Sequence, residues 1–279
     1  MKVSSALRHA QEILSKIEDE DYAKWEALLI LAYILKVAPL QVYLYLDKEI
    51  SEEKFFKILK ERQNKKPLPY ILKEVYFWGR KFHIEEGVLI PRQDTEILIQ
   101  AFLDLNIKKG RILELGIGSG IISITLLLER PEIQAFGIDI NFKALKLSRK
   151  NALEYKVEKR LSLIKGNWFN PIGERCKFKV IISNPPYLSE KEWKDLEKEV
   201  KFFEPKEALI AGEKGTEYQE MLLKKSHDYL ENNGFLIFEM GYNQSEEIQG
   251  LLKKYNWKYK FHRDLRNYKR VVVAWKESI

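Results

Sequence analysis

From Arg111 to Met240 the chain alternates short apolar runs with segments of helical period, a rhythm that restricts its fold more than any other feature. Aliphatic runs separated by helices form a parallel sheet covered on both faces, because a parallel connection needs a crossover long enough to hold a helix. The spacing predicts strands over Arg111–Leu115, Gln134–Asp139, Leu161–Lys165, Lys179–Ser183 and Phe235–Met240, with helices over Ile121–Glu129, Phe142–Tyr155 and Glu217–Glu231. Trp257–Arg263 and Arg270–Trp275 add two further strands, expected at an antiparallel edge. The fold class is therefore α/β with a mostly parallel, Rossmann-like sheet, in which ligands bind at the carboxyl ends of the strands.

The region ahead of this sheet has a different period. Ala6, Leu7, Ala10, Ile13, Leu14 and Ile17 recur at helical spacing, as do Trp25, Leu28, Leu29, Ala32 and Tyr33, with Asp21 and Ser51 as candidate N-caps. Residues 1–72 form a small helical domain with no catalytic constellation. Val75–Trp78 and Lys81–Ile84 then read as a short hairpin within a linker over residues 73–88, after which a helix over Asp94–Leu105 opens a domain spanning 89–279.

Composition excludes several classes. No uncharged apolar run approaches the ~18 residues of a membrane helix, and Met1-Lys2-Val3-Ser4 leads into a charged amphipathic stretch in place of a secretory signal. The lone Cys176 excludes an internal disulfide, and His9, His83, His227 and His262 are scattered, so no metal site is expected. A reducing cytoplasm fits best. The net charge of +7 is spread over many polar faces with no basic tract, so it is weak evidence for nucleic acid and equally a solvated Lys/Glu surface.

Four strand ends carry the chemistry. The run Ile112–Leu115 enters Gly116-Ile117-Gly118-Ser119-Gly120 and then a helix, so glycines permit a tight turn and close backbone approach beside free helix N–H groups. Ile121 and Ile122 break the dinucleotide spacing G-x-G-x-x-G, which argues against a nicotinamide oxidoreductase. Asp139 ends the next strand, placed to accept both hydroxyls of a ribose or, alternatively, to cap a helix in company with Asn141. Asn167 can hydrogen-bond an adenine amine and Trp168 can lie against its ring, or can be a buried aromatic at the sheet edge.

The fourth end is Asn184-Pro185-Pro186-Tyr187, directly behind Val180-Ile181-Ile182. A planar nitrogen has its lone pair tied up in conjugation and must be held before it can accept a methyl group. The Asn184 side-chain oxygen and the Pro185 carbonyl can each accept one of its N–H hydrogens. The two prolines fix φ and lack donors, and Tyr187 offers a flat face; a plain strand-ending turn is the bland alternative. Together the four ends describe a nucleoside-sulfonium pocket beside an amine clamp.

This ordered set resembles the class I S-adenosylmethionine-dependent methyltransferases, and most closely the HemK/PrmC glutamine methyltransferases of peptide-chain release factors. The likeness includes Phe77-Trp78-Gly79-Arg80, the block Gly87–Arg92 with Thr95-Glu96, Glu114–Gly120, Gly166–Phe169, Ser183–Tyr187, Phe203-Glu204-Pro205 with Ala208-Leu209, and Arg263-Asp264 followed by Arg270-Val271. Asn167 stands where the family often has Asp, and Gln93-Asp94 where Pro and Glu are commoner. The resemblance implies that Gly116, Ile117, Gly118, Ser119, Gly120, Asp139, Asn167, Trp168 and Asn184 bind S-adenosyl-L-methionine, released as S-adenosyl-L-homocysteine, with no metal. It implies that Asn184, Pro185, Pro186 and Tyr187 hold the substrate glutamine of class 1 release factors, with Asn184, Pro185 and Tyr187 as the catalytic set. It also implies that residues 1–72 recognise the partner, with no membrane or direct nucleic-acid substrate. The competing expectations are a methyltransferase for exocyclic base amines in DNA or RNA, whose motif chemistry is identical, and a non-catalytic nucleoside-binding protein, which would need no amine clamp.

Overall fold

The computed structural model describes residues 1–276, so the last three positions of the domain expected to end at 279 lie outside the described residues. The chain divides into two compact units, Met1–Glu74 and Val75–Ile279.

The first unit is helical. It comprises α1 (Val3–Leu14), α2 (Glu20–Leu35), a 3₁₀ helix (Pro39–Tyr45), α3 (Glu52–Gln63) and α4 (Leu68–Leu72). Val3, Ala6, Leu7, Ala10 and Leu14 repeat at helical spacing, so α1 turns one stripe toward Ile30 and Leu31 of α2 and Phe55 and Leu59 of α3. Ser51 caps α3 as expected, accepting from the Lys54 N–H. The cap of α2 is Asp19, not Asp21: Asp19 is extended and accepts from the Tyr22 N–H at 3.0 Å, whereas Asp21 already lies in the first helical turn. Inside the unit, Arg62 of α3 is buried with its Nε 2.8 Å from a Glu26 carboxylate oxygen, and its Nη2 also meets Glu18.

The second unit holds β1 (Glu74–Phe77, whose first residue falls in the helical unit) and β2 (Arg80–His83), then α5 (Glu96–Asp104), β3 (Lys109–Leu115), α6 (Ile121–Glu129), β4 (Glu132–Asp139), α7 (Phe142–Glu154), β5 (Leu161–Lys165) and β6 (Phe178–Ser183). It continues with β7 (Leu188–Ser189), α8 (Glu190–Asp195), α9 (Lys198–Phe203), β8 (Ile210–Gly212), α10 (Glu217–Lys225), β9 (Leu230–Glu239), α11 (Ser245–Lys254), β10 (Lys258–Arg263) and β11 (Lys269–Trp275). The hairpin turns at Trp78 and Gly79, both at positive φ, so the strand expected to include Trp78 stops at Phe77. The segment expected as a linker contributes to the core of this unit: Phe77 and Phe82 are buried with Leu98 and Phe102.

The main sheet has the order β10-β11-β9-β6-β3-β4-β5. β3 pairs in parallel with β4 and β6, β4 with β5, and β6 with β9, while β11 and β10 are antiparallel at one edge. Alternate residues feed opposite faces. Ile112, Val180, Ile182 and Ile237 join the core under α5 and α6, whereas Leu113, Leu115, Ile181, Leu236 and Phe238 join the core under α10 and α11.

The helix expected over Asp94–Leu105 begins as a 3₁₀ turn at Gln93–Thr95 and is α-helical over Glu96–Asp104, and a later boundary is also corrected. The helix expected over Glu217–Glu231 ends at Lys225, passes through a 3₁₀ turn at Ser226–Tyr229, and the strand begins at Leu230, five residues before Phe235. The Tyr229 ring stacks on Phe169 at 4.9 Å, and Leu230 is already paired with Phe178. Asn233, at φ 59°, lies in the irregularity between the Phe178 and Val180 pairs, which breaks the alternation that would have announced the strand.

The buried charge in the helical unit is testable. Replacing Arg62 by Ala leaves the Glu26 carboxylate buried without that countercharge, and urea unfolding should show a loss of about 3–5 kcal/mol. A loss below about 1 kcal/mol would mean that the pair behaves like a surface ion pair.

Candidate active site

A cavity of about 490 Å³ opens at the carboxyl ends of β3, β4, β5 and β6. The chain runs from β3 outward to β4 and β5, then returns to β6 on the other side of β3, so the cavity sits where the strand order reverses. Gly116, Ile117, Gly118, Ser119, Asp139, Asn167, Trp168, Asn184 and Pro186 line it. Gly120, Pro185 and Tyr187, expected in the same set, do not.

The glycine loop is open in front and pinned behind. Gly116 and Gly118 have φ of 74° and 56°, and a Cβ on either would meet no protein atom within 4 Å. Side chains there would fill the space a ligand needs. Behind the loop, Ser148 Oγ donates to the Gly118 carbonyl at 2.8 Å and Asn151 Nδ2 to the Ser119 carbonyl at 2.9 Å, both from α7. Glycine at position 137 in β4 has a related cause, since a Cβ there would fall 2.1 Å from Ile117 Cδ1.

Asp139 is held by the same loop. Its Oδ2 accepts from the Gly118 N–H at 2.9 Å and its Oδ1 from the Asn141 N–H at 2.8 Å. The Ile140 N–H also hydrogen-bonds this carboxylate. Burial raises its pKa above the ordinary carboxylate value, opposed by the N–H donors. The capping task falls to Asn141, which accepts from the Lys143 N–H at 2.9 Å and donates from Nδ2 to the Gly87 carbonyl.

Further along the wall, Trp168 adopts a left-handed backbone, φ 51°, and its ring lies 4.6 Å from that of Tyr218 at 32°. Both line the cavity, while the neighbouring Phe169 is buried. Gly87–Leu89, Pro91 and Thr95 on one side and Pro205, Glu207 and Ala208 on the other complete the lining. Glu204 accepts from the Ile90 N–H and pairs with Arg92, tying these two segments together. No spacing rule marks Tyr218 or Glu207 in the sequence.

The segment after β6 is fixed from three directions. Ser183 Oγ donates to the Leu115 carbonyl at 2.7 Å. Asn184 Nδ2 donates to Thr95 Oγ1 at 3.1 Å, and Thr95 Oγ1 donates to Glu239 Oε2 at 2.8 Å. Gln244 Nε2 donates to the Tyr187 carbonyl at 2.8 Å, while its Oε1 accepts from the Gly241 N–H. The Tyr187 hydroxyl faces Glu239 and its pKa is raised, first by burial and then by that carboxylate. Burial pushes Glu239 up to about 7, against the Thr95 hydrogen bond and the Arg270 charge. Among the described residues no group of three or more His, Cys, Asp or Glu side chains could hold a metal ion, and no single helix is long and apolar enough to cross a membrane.

Residues 92–239 match the family described as Methyltransferase small domain, and residues 5–72 match the PrmC N-terminal domain. The chain is 40% identical over 269 residues to a release factor glutamine methyltransferase of Aquifex aeolicus (strain VF5), covering 95% of this chain and 94% of that protein. It is 37% identical over 252 residues to the protein of that name from Fusobacterium nucleatum subsp. nucleatum, covering 88% and 71%. Among solved structures, the ribosomal protein L11 methylase of Lactobacillus delbrueckii subsp. bulgaricus matches with a TM-score of 0.52 at 14% identity, over 69% of this chain and 82% of that one, a likeness of fold.

Glu114 makes the site's stability pH-dependent. It is buried at the end of β3, accepts from the Ser123 N–H at 2.9 Å, and is pushed up to about 8 by burial and, more weakly, by Asp139. Its folded pKa lies above the unfolded value, so its contribution is fully present below about pH 4.5 and is lost as pH rises toward 8. Without ligand, Glu114→Gln should melt about 5 °C or more above the unmodified protein at pH 8, with the gap closing toward pH 5. A constant gap would assign the effect to packing and not to ionisation.

Proposed function

The chain belongs to the release factor glutamine methyltransferase family, its second unit having a class I methyltransferase fold, and from that premise we propose its reaction. The protein methylates the side-chain amide nitrogen, N5, of the glutamine in the Gly-Gly-Gln loop of class 1 peptide-chain release factors, using S-adenosyl-L-methionine. One observation carries this reading: Asn184, whose amide is held through its Nδ2, lines the same cavity as the open glycine loop and Asp139.

The residues present fit the cofactor. Gly116–Ser119 would lie against it, Asp139 would accept from its ribose hydroxyls, and Asn167 and Trp168, with Tyr218 beside them, would take the adenine. Bound there, S-adenosyl-L-methionine supplies an electrophilic methyl group and leaves as S-adenosyl-L-homocysteine. Asn184 Oδ1 and the Pro185 carbonyl accept the two amide hydrogens of the glutamine, favouring the pyramidal nitrogen of the transition state over the planar ground state. Pro186, which lines the cavity, confines the planar group, and Tyr187, outside the lining, would do so from beside it. Once methylated, the nitrogen is acidic enough to lose a proton to water, so these residues align and desolvate without acting as a base.

Residues 1–72 form the partner-recognition element of this scheme, 73–88 the hairpin that follows it, and 89–279 the catalytic domain, in keeping with the PrmC N-terminal match. The setting is cytoplasmic, where release factors work.

Two experiments test the reading. Labelled S-adenosyl-L-methionine should transfer methyl to a purified release factor and not to its Gln→Ala loop variant, with DNA and total RNA as parallel acceptors. Label on nucleic acid alone would move the substrate to a base amine. Separately, Asn184→Ala should lower kcat by about 10²-fold or more while changing cofactor affinity much less. Equal losses in both would make Asn184 a cofactor ligand only.

A further inference from the structure

Resting on the reading above, we propose that Thr95 and Glu239 are positioning residues that dictate which end of the Asn184 amide faces the acceptor nitrogen. A side-chain amide has two ends of nearly the same shape and opposite hydrogen-bonding character, so packing alone does not choose between them. The choice matters here. With Oδ1 toward the cavity, Asn184 accepts from the substrate N–H; with Nδ2 toward it, two donors face each other and the nitrogen is not held.

The network removes the ambiguity by counting protons. Glu239 is fully buried at the end of β9 and Thr95 is 2% exposed, in the turn that precedes α5. The Thr95 hydroxyl has one hydrogen, and when Glu239, whose Oε2 is 2.8 Å away, is ionised that hydrogen is committed to the carboxylate. Toward Asn184, 3.1 Å away, Thr95 therefore offers only a lone pair. The group that meets it must be the donor, Nδ2, and Oδ1 is left for the cavity that Asn184 lines. The relay spans 89 residues between Asn184 and Thr95 and 144 between Thr95 and Glu239, so it exists only in the folded unit.

Arg270 of β11, itself 2.8 Å from Asp94, faces Glu239 and favours its ionised form, but burial outweighs it and holds the Glu239 pKa at about 7, so the relay has this polarity above about pH 7 and the test is read at pH 8. The same carboxylate also faces the Tyr187 hydroxyl. One buried acid thus addresses both ends of the Asn184–Tyr187 segment, reaching Asn184 through Thr95 at the cavity wall.

The test is a cycle of Thr95→Val and Asn184→Ala, read as kcat for release-factor methylation and as cofactor Kd. Thr95→Val keeps the shape and removes the hydroxyl. It should lower kcat roughly 10- to 100-fold with Kd within about threefold, and Thr95→Ser should restore most of the turnover. In the Asn184→Ala background Thr95→Val should add no further loss, because Thr95 acts through Asn184. An unchanged kcat in Thr95→Val, or the same fold-loss in both backgrounds, would overturn the proposal. If the unmodified chain methylates no release factor, the functional reading fails by itself and the side-chain NH₂ resonance of Asn184, assigned by its absence in Asn184→Ala, decides this question. Exchange that is slow in the unmodified protein and fast in Thr95→Val supports the relay; equal exchange overturns it.

Discussion

The site depends on one piece of backbone pairing. β3 lies between β4 and β6, parallel to both, with Leu115 level with Ile138 on one side and Glu114 level with Ile182 on the other. That register brings the ends of β3, β4 and β6 to one edge of the sheet, and β5 follows through its pairing with β4. Had any of these strands run the opposite way, its functional residue would lie at the far end of a buried layer. Burial on both faces fixes the register, since a one-residue slip would exchange the aliphatic sets that feed the two cores.

Much of this was legible in the chain because parallel strands buried on both faces read as continuous aliphatic runs. Leu161–Lys165 and Ile121–Glu129 fall where their periodicity puts them, and the strands ending at Leu115, Asp139 and Ser183 end where expected. The glycine loop was legible for a different reason, as few residues other than glycine adopt φ near +74° without strain. Local competition hid other features. Asp19 and Asp21 are both competent caps, and only the backbone turn at Asp19 decides between them. The start of β9 was masked by Asn232-Asn233-Gly234, which reads as a helix end and forms an irregular strand instead. Supports from distant segments were not legible at all. Nothing in the spacing of Thr95, Glu239 or Gln244 says that they meet the segment from Asn184 to Tyr187, and Ser148 and Asn151 read only as polar residues of a helix.

The cavity wall is stiff where it must place atoms and open where it must receive them. Ser148, Asn151 and Gln244 spend their hydrogen bonds on backbone carbonyls and amides behind the loops, leaving the faces of Gly116 and Gly118 open. Two buried acids, Glu114 and Glu239, cost stability as they ionise, and such a cost persists where the group has a task beyond packing. Glu114 ties the end of β3 to the first turn of α6 through the Ser123 N–H. Glu239 does the equivalent for the residues after β6.

The most direct test is a crystal structure of the chain with S-adenosyl-L-homocysteine and a peptide carrying Gly-Gly-Gln. The glutamine amide nitrogen should lie roughly 3 Å from both Asn184 Oδ1 and the Pro185 carbonyl oxygen, beside the sulfur and with Nδ2 of Asn184 still on Thr95. A glutamine bound elsewhere, or an Asn184 turned so that its NH₂ faces the peptide, would contradict this arrangement.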